Sequence, residues 1–151
     1  MGNLKLMSSD FEDGGEIPRE CGYKNGNKEP TLAISGLPGE TESLALIMDD
    51  PDALKPAGKV WVHWVLWDIM ASDGPLSNSF QVCKWGMTDF GKLGYGGPAP
   101  PDKRHTYVFK LYALDCKVLP CIGGKATKPE VETAMEGYII EQAILKGTYA
   151  P

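Results

Sequence analysis

The sequence predicts a mainly β fold, an antiparallel β-sandwich with one C-terminal peripheral helix, and three observations carry that expectation. Strand-length runs rich in apolar, β-branched and aromatic residues recur at 44–49, 60–67 and 107–114. Only one segment, late in the chain and starting at Thr127, carries a clear helix start signal. The alternating strand–helix order of a parallel α/β sheet is missing. At 151 residues the chain reads as a single domain, 1–151, long enough to bury roughly 70% of its unfolded surface.

The elements follow in order. Residues 3–43 are rich in turns, with Gly14-Gly15, Gly22, Asn25-Gly26 and Pro38-Gly39, and leave room for short strands at Asn3–Met7 and Thr31–Ile34. The run at 44–49 is apolar through Met48 and is ended by Asp49-Asp50-Pro51-Asp52. Residues 60–67 read Val-Trp-Val-His-Trp-Val-Leu-Trp, in which only His63 is polar. A strand apolar on both faces is a central one, covered on both sides. Seven of the eleven residues from Gly91 to Pro101 are Gly or Pro, which marks one long, shaped loop before the strand at 107–114. The helix has Thr127 and Glu130 as a capping-box pair and Pro129 in its first turn. Val131, Ala134, Met135, Tyr138 and Ile139 recur at helical spacing, Lys146 complements the negative helix end, and Gly147 is a stop. Gly137 then falls in mid-helix, at a cost of about 1 kcal/mol relative to Ala. Thr148-Tyr149 adds a short terminal strand.

Charge and cysteine usage exclude several classes. Fifteen Lys and Arg against twenty Asp and Glu give 15 − 20 = −5, so the chain has no general field for nucleic acid or anionic membrane. Any anion site must be local. No stretch approaches the roughly 20 apolar residues of a membrane span, and Met1 to Phe11 lacks a secretory pattern, so a cytoplasmic location is expected. Cys21, Cys83, Cys116 and Cys121 include no C-x-x-C pair and read as reduced thiols, with a Cys116–Cys121 pairing open on oxidation. Neither metal nor cofactor is expected.

Few residues carry chemistry. The only histidines are His63 and His105. A buried imidazole needs a partner; for His63 that is a backbone carbonyl in the plainer account, or a carboxylate of Asp50 or Asp52. By itself His105 reads as an exposed loop residue. Asp50 and Asp52 share the i, i+2 spacing that puts two carboxylates on one side of an extended segment, although Asp and Pro also simply make turns. The glycines of 91–101 let backbone N–H groups approach a ligand and form an anion nest, while a purely structural loop fits equally well. No Gly-Lys-Ser/Thr opens a helix there, so it is not a nucleotide phosphate loop.

Several spaced motifs carry a resemblance. Asp50-Pro51-Asp52-Ala53, Val62-His63-Trp64-Val65, Thr88-Asp89-Phe90-Gly91-Lys92, Gly94-Tyr95-Gly96-Gly97-Pro98-Ala99-Pro100-Pro101 and His105-x-Tyr107 occur in that order. In this the chain resembles the bacterial and archaeal branch of the phosphatidylethanolamine-binding, Raf-kinase-inhibitor-like family, from Ile17 onward. The resemblance implies an antiparallel β-sandwich and one pocket for phosphate or phosphoryl headgroups, built from Asp50, Asp52, Trp61, His63, Gly97, Pro100, Pro101, His105 and Tyr107. It also implies cis prolines near the pocket and frequent homodimers. The chain departs from the family pattern at Leu54, at Thr106, at Glu29-Pro30-Thr31-Leu32, and in a loop one residue short between Pro101 and His105.

The function expected from these residues is that of a cytoplasmic binding protein for a small phosphate-type anion, without turnover, acting on a partner protein yet to be identified. Two other classes stand beside it. One is an inhibitor of a kinase or protease, by family analogy. The other is a weak phosphoester hydrolase using the His/Asp pocket, with a zinc-dependent form, since two His and two Asp can bind zinc. No activated Ser or Cys nucleophile stands out for acyl transfer.

Overall fold

A computed structural model describes residues 2–120 and 122–151. In chain order its elements are β1 (Lys5–Met7), β2 (Ala33–Ser35), β3 (Ser43–Asp50), α1 (Leu54–Ala57), β4 (Trp61–Met70), β5 (Gly74–Pro75), α2 (Ser77–Gln81), β6 (Lys84–Trp85), β7 (His105–Leu114), α3 (Lys128–Met135) and β8 (Ile139–Tyr149). The strands form two sheets, β1-β2-β5 and β6-β4-β3-β7-β8, with antiparallel neighbours throughout. The fold is mainly β, as the strand-length runs predict.

Every residue of β3 is buried, which places it at the centre of the larger sheet. Its side chains alternate between two cores. Leu44, Leu46 and Met48 join Leu6, Ile34, Trp64, Phe109 and Leu145 between the two sheets. Ala45 and Ile47 join Val65, Trp67, Val131 and Met135 under α3. A sheet covered on both faces explains why 44–48 and 60–67 lack polar alternation.

The C-terminal region corrects the sequence reading. Helix α3 ends at Met135, and Ile139–Tyr149 forms an eleven-residue edge strand paired with β7. The break falls at Gly137, whose φ of 86° is left-handed and suits glycine. The helical spacing of Tyr138 and Ile139 is overridden by a two-residue pattern, with Ala143, Leu145, Gly147 and Tyr149 buried and the sheet gaining a full ladder. Gly147 is therefore no helix stop. It is a strand residue whose missing Cβ admits the side chains of Ile17 and Phe11. The start signal holds, because Glu130 Oε1 accepts from the Thr127 backbone N–H at 2.9 Å.

Cys21 and Cys83 are free thiols, and burial raises them to about 11 and about 12 respectively, which makes them poor nucleophiles at neutral pH. The Cys116–Cys121 pairing lies outside the described residues. No cis peptide bond occurs among the described residues, against the expectation of cis prolines near the pocket.

Candidate functional site

Antiparallel pairing brings three strand ends together. The end of β3 lies beside the start of β4, with Asp50 opposite Trp61, and beside the start of β7, with Asp49 opposite Val108. A cavity of about 200 Å³ opens there. Asp50, Trp61, His63, Pro101, His105 and Tyr107 line it, together with Ala99 and Phe90. Ala53, Pro56 and Ala57, from the Asp-Pro-Asp turn and α1 that join β3 to β4, complete the wall. Phe90 organises the aromatic side: it stacks on Tyr23 at 3.9 Å and meets Trp61 and His63 edge-on at 5.7 and 5.4 Å.

The two histidines are held differently from the sequence expectation. His63 is buried, but its partner is the plainer one: Nδ1 donates to the Gly96 carbonyl at 2.7 Å, and Gly96 N–H donates back to the His63 carbonyl at 2.8 Å. A carbonyl only accepts, so Nδ1 carries the proton and a neutral ring leaves Nε2 as an acceptor. Asp50 belongs instead to His105, whose Nδ1 lies 2.6 Å from Asp50 Oδ2. Nor is His105 exposed. It is the first residue of β7 and 1% accessible. Its Nε2 lies 2.7 Å from Oδ1 of Asp102. Two carboxylates accept at both ring nitrogens, so the ring donates twice and is an imidazolium.

Burial pulls the His105 pKa down, but its bonds to Asp50 and Asp102 outweigh that and raise it above the ordinary value of 6.5. Burial lowers that of His63, only partly offset by its backbone bonds and the Asp50 charge. The slight burial of Asp102 raises its carboxyl, and the His105 bond more than reverses this, so the net direction is downward. Burial, then the Asp50 charge, pushes the Tyr107 phenol far up, so Tyr107 keeps its proton. The Asp50 carboxylate and the Ala99 backbone lie near enough to act on that hydroxyl, but it is buried and makes no hydrogen bond of adequate geometry among the described residues.

Three sequence-expected residues do not line the cavity. Asp52 Oδ2 accepts from the Thr106 backbone N–H at 2.9 Å and so braces the start of β7. Gly97 N–H donates to Asn27 Oδ1 at 2.7 Å, and a Cβ at Gly97 would collide with the backbone of Cys21 and Gly22. Pro100 is buried behind the wall, on the side of Tyr149 and Arg19. Gly96 and Gly97 therefore form no anion nest: both amides are spent within the fold, and at Gly97 the loop is a spacer that lets two backbones touch. Sequence reasoning missed Phe90, Ala99, the α1 wall and Asp102. Phe90 stood within one of the motifs, and Asp102 was signalled only by its i, i+3 spacing to a histidine.

Fold and site together define a class: a two-sheet β protein with a small cavity at the strand ends, built on a histidine held between carboxylates. The family model described as phosphatidylethanolamine-binding protein matches residues 7–150, and the chain belongs to that family. A UPF0098 protein of Methanothermobacter thermautotrophicus is 41% identical over 153 residues, covering 97% of this chain and 98% of its own. A UPF0098 protein of Chlamydia pneumoniae is 38% identical over 149 residues, with the same coverage. The crystal structure of a phosphatidylethanolamine-binding protein homologue from Chlamydia trachomatis superposes with a TM-score of 0.85 at 32% identity, covering 99% of this chain and 98% of its own. That of Escherichia coli YbcL, a member of the same family, gives 0.86 at 27% over 98% of both chains. Family membership makes this a binding protein. No helix among the described residues is long and apolar enough to cross a membrane.

Proposed function

We propose that the cavity binds a small phosphoryl headgroup, free or as the polar end of a larger molecule, between His105, Tyr107 and His63, without turning it over. The observation that carries this is the Tyr107 hydroxyl. A buried, unpartnered donor costs about 1–3 kcal/mol, and such a group inside a cavity calls for a ligand oxygen. The imidazolium of His105 supplies positive charge at the cavity wall, its two N–H groups being held by Asp50 and Asp102. Asp50 does not repel the anion strongly, because its oxygens already accept from His105 and from the Asp52 backbone N–H at 2.9 Å. The volume of about 200 Å³ is below the roughly 300–1,000 Å³ of sites for drug-sized ligands, so it suits a headgroup and not a lipid tail. The family and the Chlamydia trachomatis homologue are named for phosphatidylethanolamine, which contains such a headgroup.

The test is calorimetric titration of inorganic phosphate and phosphoethanolamine at pH 5.5–8, with turnover of phosphoesters followed in parallel. Binding that is lost in His105→Ala, with no phosphate released, supports the reading. Wild-type affinity in His105→Ala removes the histidine from it, and steady phosphate release makes the protein a hydrolase.

A further inference from the structure

Asp102 does not itself line the cavity, yet it is bonded to a ring that does. It lies among four consecutive exposed residues, 101–104, and its side chain keeps 40% of its accessibility. Yet its carboxylate reaches Nε2 of the buried His105 at 2.7 Å. Asp50 already fixes the ring through Nδ1 and supplies a buried counter-charge. A second carboxylate is not needed for either purpose, and it leaves the three groups with a net charge of −1. It occupies the one ring nitrogen that the sheet does not use. A carboxylate oxygen on an imidazolium N–H makes the same kind of contact as a phosphoryl oxygen.

We propose that Asp102 sets the ligand selectivity of the cavity: its carboxylate fills the anion position on His105 Nε2, and a ligand binds by displacing it. This rests on the phosphoryl-headgroup reading of the same cavity. The consequence is discrimination by number of bonds. A small carboxylate such as acetate would replace one carboxylate by another, with no gain to offset the cost of association. A phosphoryl group brings three or four oxygens and can bond His105 and Tyr107 together. The displaced Asp102, still tethered three residues before His105, adds like-charge repulsion that weak anions do not overcome.

The experiment titrates phosphate and acetate into the wild type, Asp102→Asn and Asp102→Ala, by calorimetry and by shifts of the His105 imidazole resonances. Thermal unfolding confirms that each variant is folded, as expected for an exposed loop position. The expected result is phosphate affinity about tenfold higher in Asp102→Ala, a smaller gain in Asp102→Asn, which keeps a neutral acceptor oxygen, and acetate binding that appears only in the variants. A residue that merely positions His105 predicts the opposite sign. Phosphate affinity unchanged or weaker in both variants, with wild-type binding intact, overturns the role of Asp102 and leaves the headgroup reading standing. Phosphate bound by none of the three overturns that reading and the displacement with it.

Discussion

At the scale of single residues, the site sets two requirements against each other. Tyr107 is buried for the fold and left unpartnered for the ligand, so its hydroxyl should cost stability and supply affinity. Tyr107→Phe is expected to raise the stability of the ligand-free protein by about 1 kcal/mol while weakening phosphate binding about tenfold. Urea unfolding and calorimetry on the same preparation measure both, and loss of both stability and affinity would mean that the hydroxyl has a protein partner. Gly97 shows the other kind of requirement. Its N–H donates to Asn27 Oδ1 and its bare Cα faces the chain at Cys21–Tyr23, so Gly97→Ala is expected to cost about 1–3 kcal/mol through overpacking, read as a lower urea midpoint. The sequence marked Gly97 as special, but for ligand contact. A glycine needed for backbone-to-backbone contact looks the same in sequence as one needed for ligand approach. Only the position of Asn27 separates the two.

At the scale of elements, the site depends on how neighbouring pieces are tied to the sheet. Asp49 points to the face opposite the cavity, buried, with Lys128 of α3 at 2.7 Å and Lys110 of β7 at 3.1 Å from Oδ2. That carboxylate ties α3 across β3 and β7. Breaking a buried ion pair costs about 3–5 kcal/mol, and the two lysines keep some solvent, so Asp49→Ala is expected near the lower figure. Equilibrium unfolding would show it, and a loss below about 0.5 kcal/mol, within the range of surface pairs, would demote the clamp. Gly137 is the hinge between α3 and β8. With φ at 86° and no neighbour within 4 Å of a Cβ, Gly137→Ala is expected to cost about 1–2 kcal/mol from backbone strain alone. In sequence this stretch offered both periods: Tyr138 and Ile139 fit the helix, and Ala143, Leu145, Gly147 and Tyr149 fit a strand. The unfilled edge of β7 settles the matter, since a strand there gains inter-strand hydrogen bonds that a longer helix would leave unmade.

At the scale of the whole molecule, the two histidines make stability depend on pH in opposite ways. His105 has a raised pKa in the folded state. Its contribution is fully present below the unfolded value of about 6.5 and is lost as pH rises through the folded value. His63 has a lowered pKa, so its contribution is present above about 6.5 and is lost as pH falls through the folded value. Together they predict a local maximum of stability near pH 6.5, with other groups adding a smoother background. The unfolding temperature measured across pH 5–8, with the two imidazole resonances followed by NMR, checks this. Two imidazoles titrating together near 6.5 would contradict the opposed environments.

The sequence by itself determined that this is a mainly β protein, through strand runs buried on both faces whose apolar character needs no tertiary knowledge to recognise. It also determined which residue types could carry the chemistry, because a chain with two histidines and one Asp-Pro-Asp turn offers few choices. Tertiary structure alone decided how those residues pair. Asp50 could have gone to either histidine, and the register of β3 against β7 gives it to His105, while the backbone of Gly96 claims His63. It likewise decided that Asp52 and Gly97 serve the frame, and that Asp102, in an exposed turn, reaches a buried ring. The Asp50–His105 and His63–Gly96 pairings join segments 55 and 33 residues apart in sequence. Local composition carries no information about that distance, whereas hydrogen-bond register fixes it within one residue.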